Sequence, residues 1–204
     1  MARTLILFAH PALEKSRVHR RLLRHLPDRP GLTLHDLYEA YPAFAVDVPR
    51  EQALLAEHDL IVLQHPFFWY STPPLVKQWE DLVLEHGWAY GTGGRALEGK
   101  RMLSLITTGG RAEAYRADGH NRFTIRQFLA PIEQTARLCG MDYLPPYVIH
   151  GTHRMTTADI EREGRHYRQT LALLHDDRID LEGVQAFETL NEALAPLMET
   201  EVQP

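Results

Sequence analysis

Cysteine is almost absent from this 204-residue sequence, and the single copy, Cys139, excludes an intramolecular disulfide. The twelve histidines include no HExxH pair, and no CxxC occurs, so the common spacings of metal sites are missing. No apolar run approaches the roughly 20 residues of a membrane span, and residues 1–7 resemble a strand rather than a cleavable signal. We therefore expect a soluble, cytoplasmic protein without a bound metal.

An excess of positive charge is also lacking, since the net charge is −5. Residues 176–204 contain eight acids and one base, for a net −7, whereas residues 1–175 contain 21 bases and 19 acids, for a net +2. A nearly neutral body argues against a nucleic-acid surface. The change in composition predicts a domain over residues 1–175 and an acidic extension over 176–204. Within the extension, residues 188–197 form either a further helix or a partner-binding tail.

What the sequence does contain is an alternation of short apolar segments with longer segments of helical periodicity, which is typical of an α/β fold. Strands are predicted at residues 4–9, 32–37, 60–64, 101–107 and 143–149. Helices are predicted at residues 17–26, 49–57, 75–84, 126–138 and 158–174. This order predicts a doubly wound, five-stranded parallel sheet with helices on both faces, which binds ligands at the carboxyl ends of its strands.

The loop after the first strand is rich in polar and cationic groups. It contains His10 and Ser16, and the next residues are Arg17, Val18 and His19. Backbone N–H groups, a hydroxyl and cations at a helix start suit a phosphate. On spacing alone, a Ser16 that only caps the helix and a structural His10 are the favoured interpretation. The phosphate motifs GxxxxGK[ST] and GxGxxG are both absent.

The loops after the third and fourth strands are rich in aromatic residues and in glycine. The third strand leads into Phe67, Phe68, Trp69 and Tyr70, between Pro66 and a Pro-Pro pair. Because bare rings of this size are costly, a flat ligand, a second subunit or the protein's own core should cover them. The fourth strand ends in Thr107, Thr108, Gly109 and Gly110. Paired glycines allow a ligand to approach backbone N–H groups, although a plain turn explains them equally.

Several longer motifs add up to a specific resemblance over residues 4–174. They are AHP (9–11), DLY..YP.F..D (36–47), QHP..WYS.PP..K.W.D.V..HGWAYG (64–91), TTGG (107–110), and CG with LPP (139–140 and 144–146). On these motifs the chain resembles the flavodoxin-like NAD(P)H:quinone oxidoreductases, most closely the ancillary subunits of glutathione-regulated potassium-efflux systems. The resemblance implies a flavodoxin-like fold and a bound flavin. FMN is usual in the efflux-associated members, and FAD is usual in the broader quinone reductases.

The resemblance also implies roles for individual residues. His10 and the turn of Ser16, Arg17, Val18 and His19 would hold the phosphate or ribityl end of the flavin. Phe67 to Tyr70 would lie along the isoalloxazine ring, and Thr107 to Gly110 would bind its polar edge. Val18 and His19 stand where the efflux-associated proteins tend to have a small residue and Asn, which predicts a lower flavin affinity.

Three residues are candidates for the acceptor half-reaction. Tyr115 and His120 lie where the quinone reductases have a tyrosine and a histidine, with spacing that differs by one residue. Tyr90 matches a family tyrosine that reaches the acceptor pocket, often across a dimer interface. A surface loop for the first two residues and ordinary interface packing for Tyr90 are the alternatives.

The resemblance therefore implies an FMN-dependent NAD(P)H:quinone oxidoreductase that works by a two-electron ping-pong reaction as a homodimer. No 2′-phosphate clamp is evident, so NADH and NADPH are both retained as co-substrates. The alternative function is a regulatory subunit docked at the inner face of the cell membrane on a potassium/proton antiporter. A third is a flavin reductase for azo or nitro compounds, because an open aromatic pocket discriminates poorly among flat acceptors.

Overall fold

The centre of the molecule is a parallel sheet, seen in a computed structural model that describes residues 1–199. The strands are β1 (Thr4–Phe8), β2 (Leu32–Asp36), β3 (Leu60–Pro66), β4 (Arg101–Thr107), β5 (Asp142–Tyr143) and β6 (Tyr147–Ile149). They are arranged in the order β2-β1-β3-β4, and both β5 and β6 pair with β4. The winding reverses between β1 and β3, so a crevice lies at the carboxyl ends of these two strands.

Helices cover both faces of the sheet. They are α1 (His19–Arg24), α2 (Leu37–Ala40), α3 (Val48–Glu57), α4 (Pro74–Val83), α5 (Ile125–Phe128), α6 (Ala130–Leu138), α7 (Thr157–His175) and α8 (Leu190–Glu199). Side chains of β1 alternate between two cores, with Leu5 and Leu7 packed under α2 to α6, and Ile6 and Phe8 under α1, α7 and α8. Burial on both faces explains why the strands are continuous apolar runs. The predicted doubly wound fold is confirmed.

Two predicted elements are interrupted, and proline accounts for both interruptions. The fifth strand is split into β5 and β6 because Pro145 and Pro146 have no N–H to donate to a neighbouring strand. The helix predicted at residues 126–138 is divided at Leu129 into α5 and α6, with Pro131 in the first turn of α6. Proline has no N–H to donate to the preceding turn and suits the first turn of a helix, so a new helix begins there.

The acidic C-terminal segment packs against the domain as far as it is described. Val184, Leu190 and Leu194 are buried in the core between the sheet and α7. The N–H of Val148 in β6 donates to Oδ1 of Asn191 at 2.7 Å, so α8 covers a sheet edge that would otherwise be exposed. The helix predicted at residues 188–197 is therefore present as α8, whereas residues 200–204 of the predicted extension lie outside the described residues.

Across residues 1–199, no helix combines the length and the apolarity that crossing a membrane requires.

Candidate functional site

A cleft of about 350 Å³ opens at the carboxyl ends of the central strands, where the winding reverses. We call it the edge cleft. Its lining mixes cations, hydroxyls, imidazoles and apolar groups: His10, Ala12, Lys15, Ser16, Arg17, Val18, Pro66, Phe68, Thr107, Thr152 and His153. The last residues of β3 and β4 and the loops after β1, β3 and β6 contribute, so the sheet fixes their relative positions.

The loop after β1 supplies hydrogen-bond donors to the edge cleft. His10 Nδ1 accepts the N–H of Ala12 at 3.1 Å, which leaves the ring proton of a neutral His10 on Nε2. Burial lowers the pKa of His10, so the neutral form is favoured near pH 7. Ser16 Oγ accepts the N–H of His19, the first residue of α1, at 3.0 Å, although the N-cap position of that helix is Val18 and not the predicted Ser16. Because Oγ is an acceptor in that bond, its own proton remains available to the cleft.

The same loop supplies positive charge. Lys15 and Arg17 both line the edge cleft, and Arg17 is held in place by a 3.0 Å hydrogen bond to the carbonyl of Met155. Val18 is buried in the core beneath the loop. Two cations beside hydroxyl and imidazole donors form a set suited to a phosphate group.

His19 lies behind the cleft wall rather than in it. Its ring is buried, and Nε2 is 3.0 Å from Oγ1 of Thr107. Burial, with smaller effects of neighbouring His10 and His65, holds the pKa of His19 well below its usual range. A neutral, buried His19 therefore contacts the edge cleft through its hydrogen bond with Thr107, and its ring also packs edge-on against that of His10.

The four consecutive aromatic rings point to different surroundings. Phe67 is buried in the core against Phe128, and Tyr70 stacks on the outer side of Phe128 with ring centroids 5.1 Å apart. Phe68 lines the edge cleft. Trp69 is 93% exposed. The protein's own core therefore covers only part of this aromatic surface.

The backbone of the aromatic turn is strained. Trp69 and Tyr70 have φ values of +49° and +64°, and the N–H of Ser71 donates to the carbonyl of Phe68 at 3.1 Å. This is the pattern of a tight turn that normally favours glycine or asparagine at both central positions. Bulky residues at positive φ cost about 1–3 kcal/mol each and often occur at functional sites.

The loop after β4 is closely packed around its glycines. Thr108 donates its hydroxyl proton to the carbonyl of Gly110 at 2.8 Å and is 2.9 Å from Nδ1 of His150. A Cβ atom on Gly109 would lie 2.3 Å from Nε2 of His153, so only glycine allows that imidazole to approach the loop. Thr107, one residue earlier, faces the edge cleft.

The three candidate catalytic residues are not gathered in the edge cleft. Tyr115 packs on Phe67 and His150, and burial raises the pKa of its phenol. His120 is exposed and makes no side-chain hydrogen bond, ion pair or ring contact within residues 1–199. Tyr90 lines a second cavity of about 360 Å³ between α4 and α6, the α4–α6 groove. The catalytic roles of these residues stay predictions.

A family model described as a flavodoxin-like fold matches residues 2–171. The chain belongs to this flavodoxin-like family. The ancillary protein KefG of a glutathione-regulated potassium-efflux system, from Cronobacter sakazakii, is 43% identical over 171 residues, which are 84% of this chain and 93% of KefG. These matches confirm the family resemblance drawn from the motifs.

Two solved structures extend the comparison. General stress protein 14 from Treponema denticola, solved in complex with FMN, is 38% identical with a TM-score of 0.76, over 86% of this chain and 98% of that one. An NADPH-quinone reductase from P. pentosaceus is 33% identical with a TM-score of 0.75, over 82% and 96% of the two chains. Both alignments span nearly the whole of the related protein.

Some residues of the edge cleft were not among the predicted site residues. They are Ala12, Lys15, Pro66, Thr152 and His153. Thr152 and His153 follow β6, so the strand-end rule that flavodoxin-like proteins obey would have found them if applied to the fifth strand. Lys15 lies within the loop already singled out, and its charge was a usable signal.

Proposed function

We propose that the chain is an FMN-dependent NAD(P)H:quinone oxidoreductase. The observation that carries this proposal is the composition of the edge cleft, in which Lys15, Arg17 and Ser16 lie with the ring of Phe68 and with Thr107, the last residue of β4. Cations and hydroxyls suit the phosphate of FMN, and an aromatic wall suits its flat ring. A relative in complex with FMN and another named as an NADPH-quinone reductase support the same function.

Each part of the cleft would have a separate task toward FMN. Lys15, Arg17, Ser16 and the Nε2–H of His10 would bind the phosphate or ribityl end. Phe68 would pack along the ring, and the backbone N–H groups of Gly109 and Gly110 would bind its polar edge. Donors at that edge stabilise the negative charge that a reduced flavin carries near N1 and O2.

The bound flavin would supply the electron transfer, accepting a hydride from NAD(P)H and delivering two electrons to the acceptor. Overall, NAD(P)H, one proton and a quinone are converted to NAD(P)⁺ and a hydroquinone. The protein binds and orients the reactants. NAD(P)H and the quinone would occupy the same part of the edge cleft in turn, so we expect ping-pong kinetics.

A visible spectrum tests this function most directly. Purified protein reconstituted with FMN should show flavin absorbance that NADPH bleaches without oxygen and a quinone restores. Arg17→Ala should lower FMN affinity about tenfold, since it removes a charge-assisted contact. Arg95→Ala, outside the cleft lining, should leave the affinity unchanged. Lack of flavin absorbance in the reconstituted protein would contradict the proposal.

The second candidate function is regulation of a potassium-efflux protein, which the similarity to KefG favours. In that case the chain should co-purify with a potassium/proton antiporter from membranes and change its efflux rate. Apoprotein from which FMN has been removed separates the two roles, because regulation independent of catalysis would persist in it. A homodimer is part of both proposals, and the bare Trp69 and the α4–α6 groove with Tyr90 are surfaces that a second copy could cover.

A further inference from the structure

We propose that Tyr167, Gln64 and His19 form a directional hydrogen-bond relay that makes the hydroxyl of Thr107 a donor into the edge cleft. Its acceptor would be an oxygen or nitrogen atom of the bound flavin. The identity of that ligand rests on the proposed function, whereas the direction of the relay does not. Tyr167, Gln64 and His19 are thus positioning residues, which act on the ligand through Thr107.

The relay begins at Tyr167, on α7. Its side chain is fully buried, and its hydroxyl donates to Oε1 of Gln64 at 2.8 Å. Burial raises the pKa of this phenol, so the proton stays on the oxygen. Because Oε1 accepts this proton, the amide of Gln64 is oriented with its NH₂ group on the opposite side.

The oriented amide then selects the tautomer of His19. The Nε2 amide nitrogen of Gln64 faces Nδ1 of His19 at 3.4 Å. An NH₂ group can only donate, so Nδ1 must be the unprotonated nitrogen and the neutral ring carries its proton on Nε2. That proton points to Oγ1 of Thr107 at 3.0 Å.

Thr107 completes the relay. Its oxygen accepts from His19, so its own proton must find another acceptor, and none exists within residues 1–199. Thr107 lines the edge cleft, where a ligand can accept that proton. Thr108 differs, because its proton is already given to the carbonyl of Gly110. Of the two adjacent threonines, only Thr107 therefore offers a free donor.

The opposite direction is disfavoured by Tyr167. If Gln64 were flipped, its NH₂ group would face the phenol, and its carbonyl would require a proton on Nδ1 of His19. The hydroxyl of Tyr167 would then lose the acceptor that it has in the structure, in a fully buried position. Thr107 would have to donate to Nε2 of His19, and the cleft would lose its donor.

The tautomer of His19 can be measured in protein without flavin. In ¹⁵N-histidine NMR spectra, the wild type should show His19 protonated on Nε2, and Tyr167→Phe should shift the population toward Nδ1 because the amide is released. Tyr143→Phe is a matched control, since Tyr143 is also buried and donates to Ser104 in another part of the sheet. A wild-type His19 protonated on Nδ1 would overturn the relay.

Flavin affinity tests the end of the relay. Thr107→Val should weaken FMN binding about tenfold, whereas Thr107→Ser, which keeps the hydroxyl, should retain it. Tyr167→Phe should weaken FMN binding about threefold. In the double variant, Tyr167→Phe should add no loss to that of Thr107→Val, because the donor at the end of the relay is already missing. Comparison with riboflavin locates the acceptor: an equal loss for both ligands indicates the ring or ribityl chain, and a loss for FMN alone indicates the phosphate. Wild-type FMN affinity in Thr107→Val would overturn the donor assignment. If the wild type bound no flavin at all, the proposed function would fail, and the NMR result would still decide the relay.

Discussion

At the scale of single residues, Trp69 combines two costs that seldom occur together. Its ring is 93% exposed and its backbone has a φ of +49°. A bulky residue at such an angle persists only when its surroundings or its function require it. Within residues 1–199 no ring contact involves Trp69, so the packing of its own ring does not offset the cost of this angle.

Trp69→Gly should therefore stabilise the isolated protein. Glycine adopts a positive φ without strain, and we expect the free energy of unfolding to rise by about 0.5–1 kcal/mol after the entropy of the unfolded glycine is subtracted. Urea unfolding measures this change. Tyr70→Gly is the control, because it also loses the stack on Phe128 and should gain nothing. A Trp69→Gly protein less stable than the wild type would contradict the strain argument.

Glu80 is a second residue with an unusual state. One carboxyl oxygen, Oε1, is buried without a hydrogen-bond partner, and burial raises the pKa of the group to about 7. Between the ordinary value of 4.5 and this value, the folded protein binds more protons than the unfolded chain. The free energy of unfolding must therefore fall as the pH rises through this window, by at most about 1.4 kcal/mol per pH unit.

Glu80→Gln should remove this pH dependence. Relative to the wild type, the variant should become more stable between pH 5 and pH 8, because the wild type alone acquires a buried charge. Urea unfolding at the two pH values provides the comparison. Glu188→Gln, at an exposed position, should give the same difference from the wild type at both pH values. A Glu80→Gln difference independent of pH would show that Glu80 does not titrate there.

At the scale of elements, one carboxylate joins several of them. Glu51 of α3 is fully buried and accepts hydrogen bonds from Nε2 of His35 in β2 and Nε1 of Trp79 in α4, both at 2.8 Å, and from the hydroxyl of Tyr41. Burial alone would raise the pKa of Glu51, but the three hydrogen bonds outweigh it and lower the pKa. The cluster contributes stability above pH 4.5 that is lost as the pH falls through the folded pKa.

Glu51→Ala should lower the free energy of unfolding by about 3–5 kcal/mol, because three buried donors lose their acceptor at once. Glu57→Ala is a matched control on the same helix, since Glu57 is an exposed partner of Arg3 and should cost under about 1 kcal/mol. Thermal and urea unfolding at pH 7 measure both variants. Equal costs would show that the cluster does not join these elements.

The sequence predicts an element well when the interactions that form it are between residues close together in the chain. The buried strands and amphipathic helices are predicted because apolar periodicity is local, and β4 is predicted without error. The edge cleft is predicted in outline because strand ends meet at one side of a parallel sheet. The bond between Tyr167 and Gln64 is not predicted, since it joins residues 103 positions apart through their side chains. The sequence also does not predict that Phe67 is buried while Trp69 is exposed, because this difference depends on the φ values of the turn.

At the scale of the whole molecule, the C-terminal segment completes the core. Val184, Leu190, Leu194 and Met198 are buried against the face that α7 covers. Each side chain of this size contributes roughly 1.5–3 kcal/mol when fully buried. The segment that its acidic composition sets apart in the sequence is therefore, as far as residue 199, a structural part of the fold.

Deletion of residues 176–204 should lower the free energy of unfolding by more than about 4 kcal/mol and expose apolar surface to a hydrophobic dye. Leu194→Ala alone should cost about 2–5 kcal/mol, whereas Glu192→Ala, exposed on the same helix, should cost under about 0.5 kcal/mol. Urea unfolding and dye binding measure all three. A truncated protein that unfolds at the wild-type urea concentration would contradict the packing argument.

The bond between Val148 and Asn191 also has a consequence during synthesis. The amide in β6 and its acceptor are separated by 43 residues, which a ribosome adds in roughly 2–9 s at about 5–20 residues per second. For that interval the nascent sheet has an uncovered edge strand, β6, with which a strand of another chain could pair. Slow translation or early termination in this region should therefore favour mispairing between neighbouring nascent chains.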